Sequence, residues 1–230
     1  MQNRIINNYK INAFKSKNDF LNQIKDEKKI LIAMNAEKIL KDDERLKNII
    51  NTNIGYPDGI GAVMALRQKG LDAIKIPGSE FWLDIIKRFE KQKSFYLVGS
   101  TSEVIESTVA KLRKEFTDVN IVGYRDGFLK DIDKEMLKET LRRLKPDVIF
   151  VAQGSPRQEF LMEELTQAHP ALYMGLGGSF DIYGGDKKRA PKIFLDFHLE
   201  WLYRLLKEPT RVGRQLNLVK FLFLLKIGKL

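Results

Sequence analysis

Five short apolar runs, Lys29–Met34, Ser94–Val98, Val119–Gly123, Asp147–Ala152 and Ala171–Met174, recur along the chain with helix-like stretches between them. Between the second and third runs, Val104, Ile105, Thr108, Val109 and Leu112 share one helical face. Met136, Leu137, Leu141 and Leu144 do the same before Pro146. Runs this short and this apolar predict strands buried on both faces, and the intervening helices read as crossovers between parallel neighbours. The expected fold class is therefore α/β: a Rossmann-like, doubly wound, mostly parallel sheet covered by helices on both faces.

Composition narrows what such a sheet carries. At 230 residues, 43% of them hydrophobic and 30% charged, the chain has material for one sizeable core and is not globally disordered. It contains no cysteine and two histidines, which excludes disulfides, thiolate zinc sites and a cysteine nucleophile, and fits a reducing compartment. The formal charge of +10 predicts an anionic partner, and its distribution is uneven. Between Lys187 and Leu230 eleven basic residues face three acidic ones, so eight of the ten net charges lie there. No strand pattern follows Gly184-Gly185, while Pro191 and Pro209 stand where helices open. The chain thus divides into a Rossmann-like catalytic domain, 1–190, and a helical, basic C-terminal appendage, 191–230. The amino terminus has no long apolar stretch of the signal-peptide kind, which predicts a cytoplasmic protein. The segment Leu216–Lys226 is strongly apolar but too short, against the roughly twenty residues a spanning helix needs. It either packs on the parent domain or another subunit, or lies in a membrane interface, where its interleaved lysines favour anionic headgroups.

Ligands of open α/β sheets bind beyond the carboxyl ends of the strands, which directs attention to four loops expected to converge on one crevice. These are Asn35-Ala36-Glu37, Gly55–Gly61, Gln153–Glu159 and Gly175–Asp181. Within them Asp58, between Pro57 and Gly59, is either a turn or cap residue or a carboxylate base at a pocket rim. Gly177 and Gly178 allow backbone N–H groups to approach an anion, or simply permit tight strand–helix packing. Gln158 and Glu159 follow Pro156 at a helix start, where they face either solvent or a bound phosphate. On a continuous helix the spacing of Arg204, Arg211 and Arg214 would put them on one face, though Pro209 stands against continuity; they form either a solvated basic face or guanidinium forks for phosphate oxygens.

Other signals are set aside. Asp131-Ile132-Asp133 has a metal-carboxylate spacing but opens a helix, where acidic residues belong anyway. His169 and His198 read as structural or surface residues, and Trp82 and Trp201 as core or interface aromatics. Neither a P-loop nor a G-x-G-x-x-G fingerprint is present.

Five blocks in order, Asn35-Ala36-Glu37, Pro57-Asp58-Gly59, Pro156-Arg157-Gln158-Glu159, Gly177–Asp181 with Arg189-Ala190-Pro191, and Leu199–Arg204 with Glu208-Pro209 and Arg211, resemble the WecG/TagA/CpsF glycosyltransferase family. The resemblance implies inverting, metal-independent transfer of an N-acetylhexosamine-type sugar, N-acetylmannosamine or its uronic acid. The donor is a UDP-sugar and the acceptor polyprenyl-diphosphate-linked N-acetylglucosamine, as in teichoic acid or enterobacterial common antigen assembly; no cofactor or metal is called for. By the same resemblance Asp58 matches the catalytic base. Asn35, Gln158 and Asp181 match pocket residues, the Gly177-Gly178 loop belongs to the same substrate site, and Arg204, Arg211 and Arg214 match a basic appendage closing over the active site. Many relatives carry threonine two residues before the asparagine, where this chain has Ala33, which bears on the donor sugar.

Those expectations place the protein at the inner face of the cell membrane, held peripherally through its appendage, with self-association left open. The competing readings are the same fold transferring glucose or another hexose, and a basic regulator that binds nucleotide or nucleic acid. Against nucleic acid, the tail interleaves its cations with Leu, Val and Phe rather than with a row of stacking aromatics.

Overall fold

The structure is a computed structural model that describes residues 1–185 and 212–230. It opens with an antiparallel hairpin, β1 (Gln2–Ile6) and β2 (Tyr9–Ala13), turned through Asn7 and Asn8 in positive-φ conformations. Six further strands form one all-parallel sheet: β3 (Ile30–Met34), β4 (Ile54–Pro57), β5 (Ser94–Gly99), β6 (Asn120–Arg125), β7 (Val148–Ala152) and β8 (Leu172–Gly175). Their spatial order is β4-β3-β8-β7-β5-β6. The expected doubly wound sheet is therefore present, and all five apolar runs are strands within it.

Three strands were not legible as such. Ile54–Pro57, read as the start of a loop, is β4, a buried edge strand of only four residues. The hairpin lies outside the alternating pattern because β1 is largely exposed and only β2 is buried.

Alternate side chains of each strand enter two separate cores, the period-two consequence of the pleat. Ile30, Ile32, Met34, Val98, Ile149 and Val151 face α3 (Glu44–Thr52), α4 (Ile60–Gln68), α7 (Asp131–Leu144) and α8 (Arg157–Ala168). Leu31, Phe95, Leu97, Phe150 and Met174 face α1 (Lys17–Gln23), α5 (Gly78–Phe89) and α6 (Ser102–Glu115). In α5, Phe81, Trp82, Ile85, Ile86 and Phe89 all lie on the buried side. Trp82 is fully buried with its ring edge-on to Phe150 and Phe180, as expected of a core aromatic. His169 ends α8 with a ring nitrogen 2.8 Å from the Pro146 carbonyl, a structural role. Asp131 and Asp133 open α7, and the Asp133 carboxylate accepts the Lys130 amide at 2.9 Å.

The C-terminal helix, Val212–Lys226, docks on this domain. Phe221 and Leu225 are buried, the Phe221 ring lies against Gly61 of α4, and the Gln68 amide donates to the Leu225 carbonyl at 3.1 Å. Packing on the parent domain is thus part of what the apolar tail does. Leu216, Val219, Phe223 and Ile227 remain exposed. The division at 190/191, the helix openings at Pro191 and Pro209, His198, Trp201, Arg204 and Arg211 lie outside the described residues.

Candidate functional site

In the sheet order, β5 leads outward to β6 whereas β7 leads the opposite way to β8. The connections diverge between the carboxyl ends of β5 and β7, which is where an open sheet leaves a crevice. A cavity of about 1080 Å³ lies there. Ser100 and Thr101 after β5, Gly127–Lys130 after β6, Gln153, Gly154 and Arg157 after β7, and Gly177, Gly178 and Asp181 after β8 line it.

The floor is tied together by short-range bonds. Gly99 adopts φ +141°, and a Cβ there would stand 2.3 Å from the Ala152 carbonyl oxygen, so only glycine lets β5 run this close to β7. Ser100 donates its hydroxyl to Asp181 Oδ1 and its backbone N–H to the Ala152 carbonyl at 3.2 Å. The Ser100 carbonyl accepts the Gly127 amide at 2.8 Å, and the Gln153 side-chain amide donates to the Gly127 carbonyl at 2.6 Å.

Electrostatically the cavity is built for an anion. Three helices start on its wall: Thr101 is the N-cap of α6, Lys130 that of α7, and Arg157 is the first residue of α8. Each helix start carries the positive end of a dipole, although Thr101 Oγ1 takes the Val104 amide of α6 at 3.3 Å and Asp133 takes the Lys130 amide of α7 at 2.9 Å. Arg45, Lys130, Lys134 and Arg157 add cationic side chains against the carboxylates of Glu164 and Asp181. Arg45 is engaged by Glu163 at 2.8 Å and Lys134 by Asp131 at 3.5 Å. Arg157, exposed at the mouth, makes no ion pair among the described residues.

The expected single crevice is divided. The cavity takes Gly177, Gly178 and Asp181, while Asn35 and Asp58 stand at the ends of β3 and β4, on the other side of β8. Asn35 caps α2 (Ala36–Ile39), its Oδ1 accepting the Lys38 amide at 2.9 Å. The Asp58 and Gly59 amides both donate to the Met34 carbonyl, at 3.0 and 3.3 Å, which clips the Pro57-Asp58-Gly59 turn to the end of β3. A Cβ on Gly59 would lie 3.3 Å from Asn35 Cβ, so the two blocks are in contact. Asp58 Oδ1 accepts the amide of Gly78, the first residue of α5, at 2.8 Å.

Gln158 is 4% exposed and reaches the cavity only through backbone: its Oε1 accepts the Gly177 amide at 2.8 Å. Glu159 is 1% exposed and paired with Lys38 at 2.6 Å. Tyr56, at the end of β4 and beside Ala33 in the β3–β4 register, is fully buried with a hydroxyl that finds no hydrogen-bond partner among the described residues. Burial, and after it the nearby carboxylates of Asp58 and Glu159, push its phenol well above the ordinary tyrosine range. Arg214 falls within the C-terminal helix.

The residues that sequence reasoning undervalued are Arg157, Ser100 and Lys38. Arg157 sat inside the Pro156–Glu159 block, but the weight fell on its two buried neighbours. Ser100 follows a strand, a usable signal. A lone lysine on a four-residue helix gives none, because lysine is almost never buried.

A family model for the glycosyl transferase WecG/TagA/CpsF family matches residues 5–230, essentially the whole chain.

Proposed function

From the premise that the chain belongs to the WecG/TagA/CpsF glycosyltransferase family, and is therefore a transferase of cell-envelope polysaccharide synthesis using a nucleotide-sugar donor and a glycan acceptor, we propose a specific reaction. The protein transfers an N-acetylhexosamine-type sugar, N-acetylmannosamine or its uronic acid, from UDP to polyprenyl-diphosphate-linked N-acetylglucosamine with inversion. The observation that carries this reading is the cavity where three helix starts and four cationic side chains meet.

In this reading the UDP diphosphate occupies the cavity over Gly177 and Gly178, with Arg157 at its mouth and Asp181 on the wall. Asp58 lies two strands beyond β8. At a strand spacing of about 4.8 Å that is roughly 10 Å, which leaves room for the anomeric carbon and the attacking acceptor hydroxyl in line between the β-phosphate and the carboxylate. The sugar then extends past Gly177, whose amide Gln158 holds, toward Asn35, and the acceptor hydroxyl approaches Asp58. The Asp58 carboxylate takes the acceptor proton as the new oxygen–carbon bond forms at the anomeric centre and the bond to the β-phosphate oxygen breaks. UDP leaves as an anion stabilised by the helix starts and the cationic wall. Arg204, Arg211 and Arg214 are assigned to the same leaving group. Cations on the cavity wall take that role in place of a metal, and transfer is expected to persist in EDTA.

The C-terminal helix supports an approach to the bilayer. No helix of the described residues is long and apolar enough to cross a membrane. The exposed Leu216, Val219, Phe223 and Ile227 nonetheless form a second apolar stripe, accompanied by exposed Lys220, Lys226 and Lys229. Such a stripe suits a helix lying in the interface on the cytoplasmic side, where the lipid-borne acceptor is.

The test is transfer from a panel of UDP-sugars to a synthetic lipid-diphosphate N-acetylglucosamine in EDTA, comparing the wild type with Asp58→Ala. Turnover with an N-acetylhexosamine donor, abolished by Asp58→Ala while UDP binding survives, is the expected result. Turnover with glucose alone transfers the reading to another hexose, which Ala33 in place of threonine leaves room for. UDP binding without turnover on any acceptor overturns the transfer step.

A further inference from the structure

The two halves of the site are joined by a buried polar chain that the reaction itself does not use. Lys38 on α2 and Glu159 on α8 are 121 residues apart in sequence, yet Lys38 Nζ lies 2.6 Å from Glu159 Oε1. The side chains are 8% and 1% exposed. At one end of this pair, the Lys38 backbone amide is the donor that Asn35 caps, at 2.9 Å. At the other, Gln158 Nε2 donates to the same Glu159 oxygen at 3.3 Å, while Gln158 Oε1 accepts the Gly177 amide at 2.8 Å. Gly177 sits at φ +59°, a conformation open to glycine, and it lines the cavity. The Gln158 amide is in turn confined by Gly175, where a Cβ would meet Nε2 at 2.4 Å.

A buried ion pair is a poor means of stabilising a fold. Desolvating both charges offsets most of their attraction, and well-packed apolar residues of similar volume usually serve stability as well or better. What the pair adds is a fixed point: neither buried charge can move away without leaving the other unpaired, whereas two apolar side chains can slide.

We propose that Lys38 and Glu159 are positioning residues: through Gln158 they hold the Gly177-Gly178 loop of the cavity in register with the Asn35 and Asp58 end of the sheet. Glu159 fixes the Gln158 side chain, Gln158 orients the Gly177 amide, and Lys38 anchors Glu159 to the helix that Asn35 begins. The meaning of that register for donor binding rests on the transferase reading above; the geometry of the loop does not.

Stability and positioning separate in the double variant Lys38→Met/Glu159→Met, read in full-length protein by three measurements. These are the thermal midpoint, the affinity for UDP by calorimetry, and hydrogen exchange and chemical shift of the Gly177 amide in glycine-labelled protein. The expected result is a midpoint within a few degrees of wild type, a Gly177 amide that shifts and exchanges at least tenfold faster, and UDP binding weakened at least tenfold. A double variant that is folded, with Gly177 exchange and UDP affinity both within twofold of wild type, overturns the proposal. Should the double variant not fold, Glu159→Gln keeps the shape and removes the charge. It is expected to accelerate Gly177 exchange several-fold, Lys38→Arg to leave it near wild type, and an unchanged rate in Glu159→Gln overturns the proposal equally. Wild-type protein that binds no UDP instead removes the donor assignment, while the Gly177 amide still decides the positioning role.

Discussion

The carboxylate of Asp58 accepts the backbone amide of Gly78 at 2.8 Å, so the residue assigned as base also supplies the cap that α5 lacks, its own N-cap being Pro77 with no side-chain hydrogen bond. One carboxylate thereby has two separable jobs. The bond to the helix start holds the carboxylate in place.

Asparagine at this position keeps an acceptor oxygen for Gly78 but cannot take a proton. Asp58→Asn is expected to retain wild-type stability within about 0.5 kcal/mol and to lose about 10²–10⁴-fold in transfer rate. Asp58→Ala is expected to lose a similar rate and, in addition, about 1 kcal/mol of stability through the lost cap. Parallel denaturant melts and transfer assays of the two variants check this. Equal activity in Asp58→Asn and wild type removes the base.

How much of this was legible beforehand follows from what each residue contacts. The strands were readable because burial on both faces writes a continuous apolar run, as in Val148–Ala152, where every residue is buried. Edge strand β4 was not, because its four residues include Gly55 and Pro57, which read as turn signals. Asp58, Asp181 and the glycine loop lie in sequence right after strands, which is where an open sheet binds ligands, so local reasoning found them. Lys38 and Glu159 are meaningful only as a pair, and a contact across 121 residues leaves no local trace. The cavity was placed one step off for a related reason: strand order, not strand sequence, decides which loops share a crevice.

Arg157 is exposed at the cavity mouth and carries no ion pair among the described residues, so its charge is available to a ligand. Arg157→Ala is expected to weaken UDP binding about tenfold, and Arg157→Lys less, because lysine keeps the charge but loses the bidentate fork. The thermal midpoint is expected to be unchanged. Calorimetry at two salt concentrations checks the assignment, since the difference between wild type and Arg157→Ala shrinks as salt screens it.

Several tyrosines make the alkaline limb of stability predictable. Burial raises the phenols of Tyr56, Tyr96 and Tyr173 above the ordinary value of 10.0. The unfolded chain loses these protons near pH 10 and the folded chain holds them, so the unfolded state binds fewer protons there and stability falls as pH rises. Below pH 10 both states are protonated and this contribution is fully present. Urea melts from pH 8 to 11 are expected to show a flat region followed by a decline. Tyr56→Phe removes a buried hydroxyl without a hydrogen-bond partner among the described residues and is expected to match or exceed wild-type stability while making the decline shallower. A steeper decline in Tyr56→Phe contradicts the account.

The C-terminal helix presents two apolar stripes whose roles separate by substitution. Phe221 is fully buried against Gly61 of α4, whereas Phe223, two residues on, is 62% exposed. Truncating Phe221 to alanine opens a space in the docking contact and is expected to cost about 3 kcal/mol, seen as a lower midpoint or as detachment of the helix before global unfolding. Phe223→Ser leaves that contact intact and is expected to leave stability unchanged in solution. Binding to vesicles containing anionic phospholipid reverses the order of importance. Phe223→Ser is expected to weaken it several-fold, because the exposed stripe of Leu216, Val219, Phe223 and Ile227 is the surface available to the interface. Replacing the exposed Lys220 and Lys226 with glutamine in the same helix is expected to weaken binding further and to flatten its salt dependence. If Phe223→Ser and the lysine variants sediment with vesicles as wild type does, the exposed stripe serves contact with protein instead, and the proposed approach to a lipid-borne acceptor fails at this surface.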